Sequence, residues 1–174
     1  PNRSDCLCML GLARETGLLN SLDVEFGEES ATPATIDDTF PVELAAGAAC
    51  SRFVGRVIRD VNVKSDSPIW MQEKLRRAGL RSIDSVVDIT NYVMLELGQP
   101  LHAYDYEKLS GKIVVRESKA GEKCTLLDGS EVTLHDNTLL ITDDSGPIGL
   151  AGVMGGLSTS VTDETKNIFF DPDP

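Results

Sequence analysis

The sequence predicts an α+β fold: a layered domain of mostly antiparallel sheet with helices packed on one side. Helical periodicity dominates the first hundred residues and gives way, after Gly98, to short strands separated by turns. Regular βαβ alternation is missing, which argues against a doubly wound sheet. The 174 residues are 41% hydrophobic and 25% charged, an ordinary balance for a globular protein and one that excludes disorder as the main state. A chain of this length buries about 70% of its unfolded surface, so it needs no disulfide or metal staple.

The elements follow in order. Ser4 is a helix N-cap, Asp5 favours the dipole in the first turn, and Gly17 follows the last turn, with Cys6, Met9, Leu10 and Ala13 as the apolar stripe. From Asn20 to Pro41 the period fails among acidic and small residues. This stretch reads as a linker, dividing a helical lead-in at 1–40 from the main domain at 41–174. A strand is expected over Arg52 to Val63, covered on much of both faces. Ser67 and Pro68 open a second helix as N-cap and N1, and Gly79 closes it. The third helix, Ser85 to Leu97, has so wide an apolar arc that it is expected to be largely buried. Strands then follow over Lys112–Glu117, Lys123–Leu127, Glu131–Leu134, Thr138–Thr142 and Pro147–Ala151, with Asp128-Gly129 as a two-residue hairpin signal.

Charge and cysteines bound the function. Sixteen Lys and Arg against 28 Asp and Glu leave a net charge of -12, which argues against field-driven capture of a polyanion. Cys6, Cys8, Cys50 and Cys124 form no C-x-x-C pair and have no histidine at zinc spacing, so free thiols in a reducing compartment are expected. No apolar run approaches the roughly 20 residues of a membrane helix and no secretory segment opens the chain, so a cytoplasmic location is expected. Starting at Pro1 without Met and ending Asp-Pro-Asp-Pro, the chain reads as an excised piece of something longer.

Three enzyme templates fail. Gly149, Gly152, Gly155 and Gly156 form neither the dinucleotide fingerprint nor, without a following Lys, a phosphate loop, and there is no G-x-S-x-G elbow. A hydrolase built on this chain would have to use water. Two places remain. His102, in a loop just beyond the third helix, can orient water or exchange a proton; the alternative is that it bonds locally while Asp105 caps the turn through Lys108. His135 reads as a solvated turn residue. Four glycines within Gly149–Gly156 suit either close approach of a ligand to bare backbone N–H groups or tight turns and sheet packing.

Pro1 to Leu7, the run Asp84 to Asp105, Leu126 to Gly129, and Gly149 to Gly156 followed by Asp163-Glu164-Thr165 together resemble the bacterial phenylalanyl-tRNA synthetase β subunit. The similarity extends along the whole chain: the lead-in is similar to the end of that family's B1 region and the remainder to its B3/B4 module, a layered α+β unit. The resemblance implies post-transfer editing, the hydrolysis of tyrosine wrongly esterified to tRNA(Phe), in a heterotetramer with the α subunit. ATP and Mg²⁺ are used elsewhere in that complex, with no cofactor or metal in this piece. An apolar synthetic pocket rejects an added hydroxyl by only about 10²-fold, so a second site that hydrogen-bonds the hydroxyl is needed.

Position by position, the resemblance makes His102 the editing histidine of a Gln-Pro-x-His-Ala motif, which positions the attacking water with help from the terminal adenosine. It makes Gly152 the glycine whose N–H meets the tyrosine hydroxyl, and Gly155 one that keeps the pocket open. Thr90 and Asn91 become lining residues. A gap-free count puts Asp171 where the family has a glutamate that accepts the tyrosine hydroxyl. A second alignment sets several family residues between Asn167-Ile168-Phe169 and the Phe-Asp-Pro segment, and leaves that glutamate without a counterpart. A competing reading is a scaffold or amino-acid-binding module of the same subunit with an incomplete editing site. A metal-dependent hydrolase built on His102, Asp105 and Asp171 fits no ligand spacing.

Overall fold

A computed structural model describes residues 2–27 and 30–172. Its elements are α1 (Met9–Asn20), β1 (Val42–Leu44), β2 (Arg56–Ile58), α2 (Ile69–Arg77), α3 (Ser85–Leu97), β3 (Leu101–Asp105), β4 (Ile113–Glu117), β5 (Lys123–Thr125), β6 (Glu131–Thr133), β7 (Leu139–Asp143), β8 (Gly146–Leu150), β9 (Met154–Gly155) and β10 (Ile168–Pro172). They form three sheets, ordered β1-β4-β7-β8-β9, β2-β10-β3 and β5-β6. Only the β1–β4 pairing is parallel, so the α+β, mostly antiparallel expectation holds.

Strand alternation builds the layers. On β3 and β10, Tyr104 and Phe169 face the large sheet and meet Ile113, Val115, Ile141 and Ile148 in the main core. Their neighbours Ala103 and Ile168 face the other way, onto Val86 of α3. On the far face of the large sheet, Leu140 and Leu150 pack on Cys124, Leu126 and Leu134 of the β5–β6 hairpin. The β7–β8 register jumps from Ile141↔Gly149 to Thr142↔Pro147, leaving Ile148 as the extra residue of a bulge. That bulge lets Ile148 serve the main core while Leu150, two residues on, serves the hairpin.

Helix α3 packs on β3, and α1 and α2 both pack on α3. α3 is capped by Asp84, whose carboxylate accepts from the N–H groups of Val86 and Val87, both at 2.9 Å. It ends at Gly98 in the left-handed conformation, φ 80°, where a side chain would be strained and would also strike Cys8 Sγ. Below its first turn, fully buried Asp88 accepts from Ser67 Oγ at 2.6 Å, from Ser82 Oγ, and from Ile83 N–H at 2.9 Å. This one carboxylate fixes the chain on both sides of α2 to α3.

Several expectations need correction. The first helix starts at Cys8, not Ser4: Ser4–Cys6 is a single 3₁₀ turn, and Cys8 Sγ accepts from Gly11 N–H. Gly17 lies inside α1, buried, because Leu22 O and the Val24 side chain fold back onto it; the helix ends at Ser21. The expected strand Arg52–Val63 shrinks to Arg56–Ile58, with Gly55 lying against the Phe169 ring. Ser67 does not cap α2, since its hydroxyl goes to Asp88. The Asp128-Gly129 turn is longer than two residues, with β5 ending at Thr125 and β6 beginning at Glu131. Finally, α3 is half-buried: only Val86 and Asp88 are fully enclosed, while Ile89, Met94 and Leu97 reach solvent. Its arc is wide because it serves both the core and a cleft.

Among the described residues of 21–41 there is no helix or strand. The stretch is pinned to the domain: Arg56 donates to Thr32 O at 3.0 Å, and Arg59 pairs with Asp38 at 2.7 Å.

Candidate functional site

His102 lies within strand β3, not in a loop. The sequence Leu101–Asp105 alternates, but the residues facing the core are His and Tyr, and their pairing partner β10 lies more than sixty residues downstream. β3 is an outer strand of its sheet, so one edge faces away from β10.

The imidazole is held from two sides. It meets Tyr104 edge to face, with ring centroids 4.4 Å apart and planes at 74°, and Tyr104 is itself fully buried against Phe169. On the other side lies Gly155 of β9. A Cβ there would sit 2.9 Å from Nδ1 and nearer still to Cε1 and Nε2, so the ring occupies space that only glycine leaves open. His102 Nε2 is buried and has no hydrogen-bond partner among the described residues. Burial pushes the imidazole pKa down to about 4, so the ring is neutral near pH 7. A neutral imidazole keeps one acceptor nitrogen, able to orient a water molecule.

Beside the ring is a cleft of about 330 Å³ between α3 and β3 on one side and β9 on the other, a volume suited to a small ligand. Thr90, Asn91, His102 and Gly155 all line it, although they come from three separate elements. The Thr90 hydroxyl donates to Val87 O at 2.8 Å, which leaves its oxygen able to accept. The Asn91 side chain is half-buried and has no hydrogen bond among the described residues. The remaining wall is aliphatic apart from Ser160, and among the described residues no charged side chain lines the cleft.

Two expected residues are not among the lining. Gly152 lies on the exposed turn before β9, at φ 69°, with open space around the position of a Cβ. Its glycine serves the left-handed turn. Asp171, fully buried, stands directly opposite His102 in the antiparallel β3–β10 register and is not among the lining residues. Gly156 is explained by packing, since a Cβ there would lie 2.7 Å from Ile148 O.

Sequence reasoning missed Ser160 and the apolar residues at the mouth, Leu127, Val153, Met154 and Met94. Exposed aliphatic residues beside turns were the one available signal. Asp105 takes its structural role: it accepts from Glu107 N–H at 3.1 Å and from Thr165 Oγ1 at 2.6 Å. On a strand it also faces opposite to His102, so the two cannot share a metal. Among the described residues no group of three or more His, Cys, Asp or Glu side chains could hold a metal ion. His135 is exposed in its turn. No helix of the described residues is long and apolar enough to cross a membrane.

Known proteins resemble this arrangement. The crystal structure of an N-terminal fragment of the phenylalanyl-tRNA synthetase beta-subunit from Pyrococcus horikoshii shares the fold, with a TM-score of 0.56 at 16% identity over 98% of this chain and 52% of that one. The phenylalanine-tRNA ligase beta subunit of Hahella chejuensis is 54% identical over 98% of the chain, and that of Aliivibrio fischeri 53% identical over 99%. The chain spans 22% of the length of each of these two relatives. Residues 49–172 match the B3/4 domain, and the chain belongs to the B3/4 domain family in the form that phenylalanine-tRNA ligase beta subunits carry.

Proposed function

We propose that this chain is the editing module of a phenylalanine-tRNA ligase beta subunit, and that it hydrolyses the ester of tyrosine wrongly attached to tRNA(Phe). The observation that supports this most is the meeting of His102, Gly155, Thr90 and Asn91 around one uncharged cleft. The acyl group enters the cleft, and the neutral His102 ring holds a water against the ester carbonyl. A pKa of about 4 makes this imidazole a weak general base at neutral pH. Its task is therefore to orient the water, while groups on the terminal adenosine assist proton transfer. Thr90 and Asn91 offer hydrogen bonds to the bound aminoacyl group. Gly152 and Asp171 are candidates for recognising the tyrosine hydroxyl, Gly152 as the neighbour of the lining residue Val153 and Asp171 as the cross-strand partner of His102. Aminoacylation, ATP and Mg²⁺ belong, in this reading, to other parts of a complex with the α subunit.

The test is deacylation of Tyr-tRNA(Phe) by the complete ligase carrying His102→Ala. Hydrolysis should fall sharply while phenylalanine charging continues; unchanged hydrolysis removes the assignment. The buried, unpartnered Nε2 favours a second reading, an amino-acid-binding module without catalysis. That module would show no preference for tyrosine over phenylalanine, and His102→Ala would leave deacylation as it was.

A further inference from the structure

We propose that the apolar mouth of the cleft, formed by Leu127, Val153 and Met154 facing Met94, grips the base of the terminal nucleoside of the ester substrate and leaves the phosphates outside. This rests on the editing reading and extends it from the acyl half of the substrate to the alcohol half. If the ester carbonyl lies beside His102 and the acyl group fills the cleft, the alcohol half must leave through the mouth. Whatever lines the mouth therefore touches the sugar and base.

The mouth is chemically distinctive. Val153 is 73% exposed, Leu127 43%, and Met154 and Met94 each 37%; all four line the same cleft, and their exposure puts them on its solvent side. Clustered exposed aliphatics point to a binding surface more than scattered ones do. Among the described residues no Lys or Arg lines the cleft, and the chain as a whole carries a charge of -12, so phosphate capture by charge is not what this surface offers. A nucleobase face, flat and weakly hydrated, is the part of a nucleotide that an uncharged aliphatic rim can hold.

The rim is also rigidly mounted. Leu127 N–H donates to Gly155 O at 3.1 Å, and Leu126 bridges to Gly156. Val153 N–H donates to Leu150 O at 3.0 Å across the turn that Gly152 makes possible. The strand that carries Gly155 beside the His102 ring thus also holds the rim, so gripping the base fixes the ester relative to the imidazole.

The experiment compares two esters on the complete ligase, wild type and Leu127→Ser/Val153→Ser. One is tyrosyl-adenosine; the other is the tyrosyl ester of anhydroribitol, which keeps the vicinal hydroxyl and lacks the base. The double variant should lose about 10- to 100-fold in kcat/KM on tyrosyl-adenosine, and the loss should be confined to the ester that carries a base. Equal losses on both esters, or no loss on either, overturn the rim assignment and leave the editing reading standing. No loss with weakened assembly of the ligase would identify the rim as a protein contact and overturn it likewise. Wild-type enzyme that hydrolyses neither ester overturns the editing reading itself, and the rim with it.

Discussion

Replacing Gly155 by Ala tests the geometry of the site with a single methyl group. The backbone at Gly155 is not in the left-handed region, so alanine brings no conformational strain there. The whole effect is steric. The new Cβ would stand 2.9 Å from His102 Nδ1 and closer to two other ring atoms, well inside contact distance. The ring cannot retreat, because Tyr104 blocks it at 4.4 Å between centroids and is itself fully buried. Either the imidazole swings out of position or β9 moves away from β3. Overpacking of this kind costs about 1–3 kcal/mol. The assay is a double-mutant cycle read by urea denaturation of this chain: wild type, Gly155→Ala, His102→Ala and the double variant. If the methyl clashes with the ring, removing the ring abolishes the clash, and Gly155→Ala should cost about 0.5 kcal/mol or less in the His102→Ala background. In the complete ligase the single variant should also lose deacylation. An equal cost of Gly155→Ala in both backgrounds would falsify the close approach. Gly152→Ala is the control: it should cost about 1–2 kcal/mol from left-handed strain, independently of His102.

Further outcomes follow from the same structure. The folded His102 pKa, about 4, lies below its ordinary value of 6.5, so the unfolded chain binds the extra proton between these values. Its contribution is complete above pH 6.5 and falls away by about 3 kcal/mol as pH drops to 4, a slope that His102→Gln should remove from the pH dependence of unfolding. The rate of deacylation should correspondingly show no inflection near pH 6.5, and one would contradict the buried, neutral imidazole. Asp88→Ala strands two hydroxyls and one N–H beneath α3 and should cost about 2–4 kcal/mol in a urea titration, against no more than about 0.5 kcal/mol if the network is dispensable. Burial alone would raise the Asp88 carboxyl pKa, but its hydrogen bonds with Ser67, Ser82 and Ile83 outweigh burial and hold it below the ordinary value. Acid below that ordinary range should therefore weaken the same network. This chain by itself should bind tRNA poorly at physiological salt, since its net charge is -12; tight, salt-sensitive binding in a titration would refute that.

What the sequence alone determined was local. Helix α3 was legible to the residue, because Asp84 and Gly98 bracket one unbroken 3.6-residue period. Strands β4 to β8 were legible from alternation and turn residues, whereas β1, β9 and β10 were not, and His102 and Gly155 were singled out by a motif resemblance. The sequence could not show that His102 sits in a strand, since the partner that makes Leu101–Asp105 a strand is β10, at the other end of the domain. Nor could it show that Ser67 is taken from its helix by Asp88, or that Gly155 is glycine because an imidazole fills the place of its side chain. The acidic composition spoke against nucleic acid; what the fold adds is a cleft whose described lining carries no charged side chain and includes exposed aliphatic residues. Periodicity and capping act over a few residues and are written in sequence order. The cleft is made where α3, β3 and β9 converge, and that convergence is decided by packing between residues far apart in the chain.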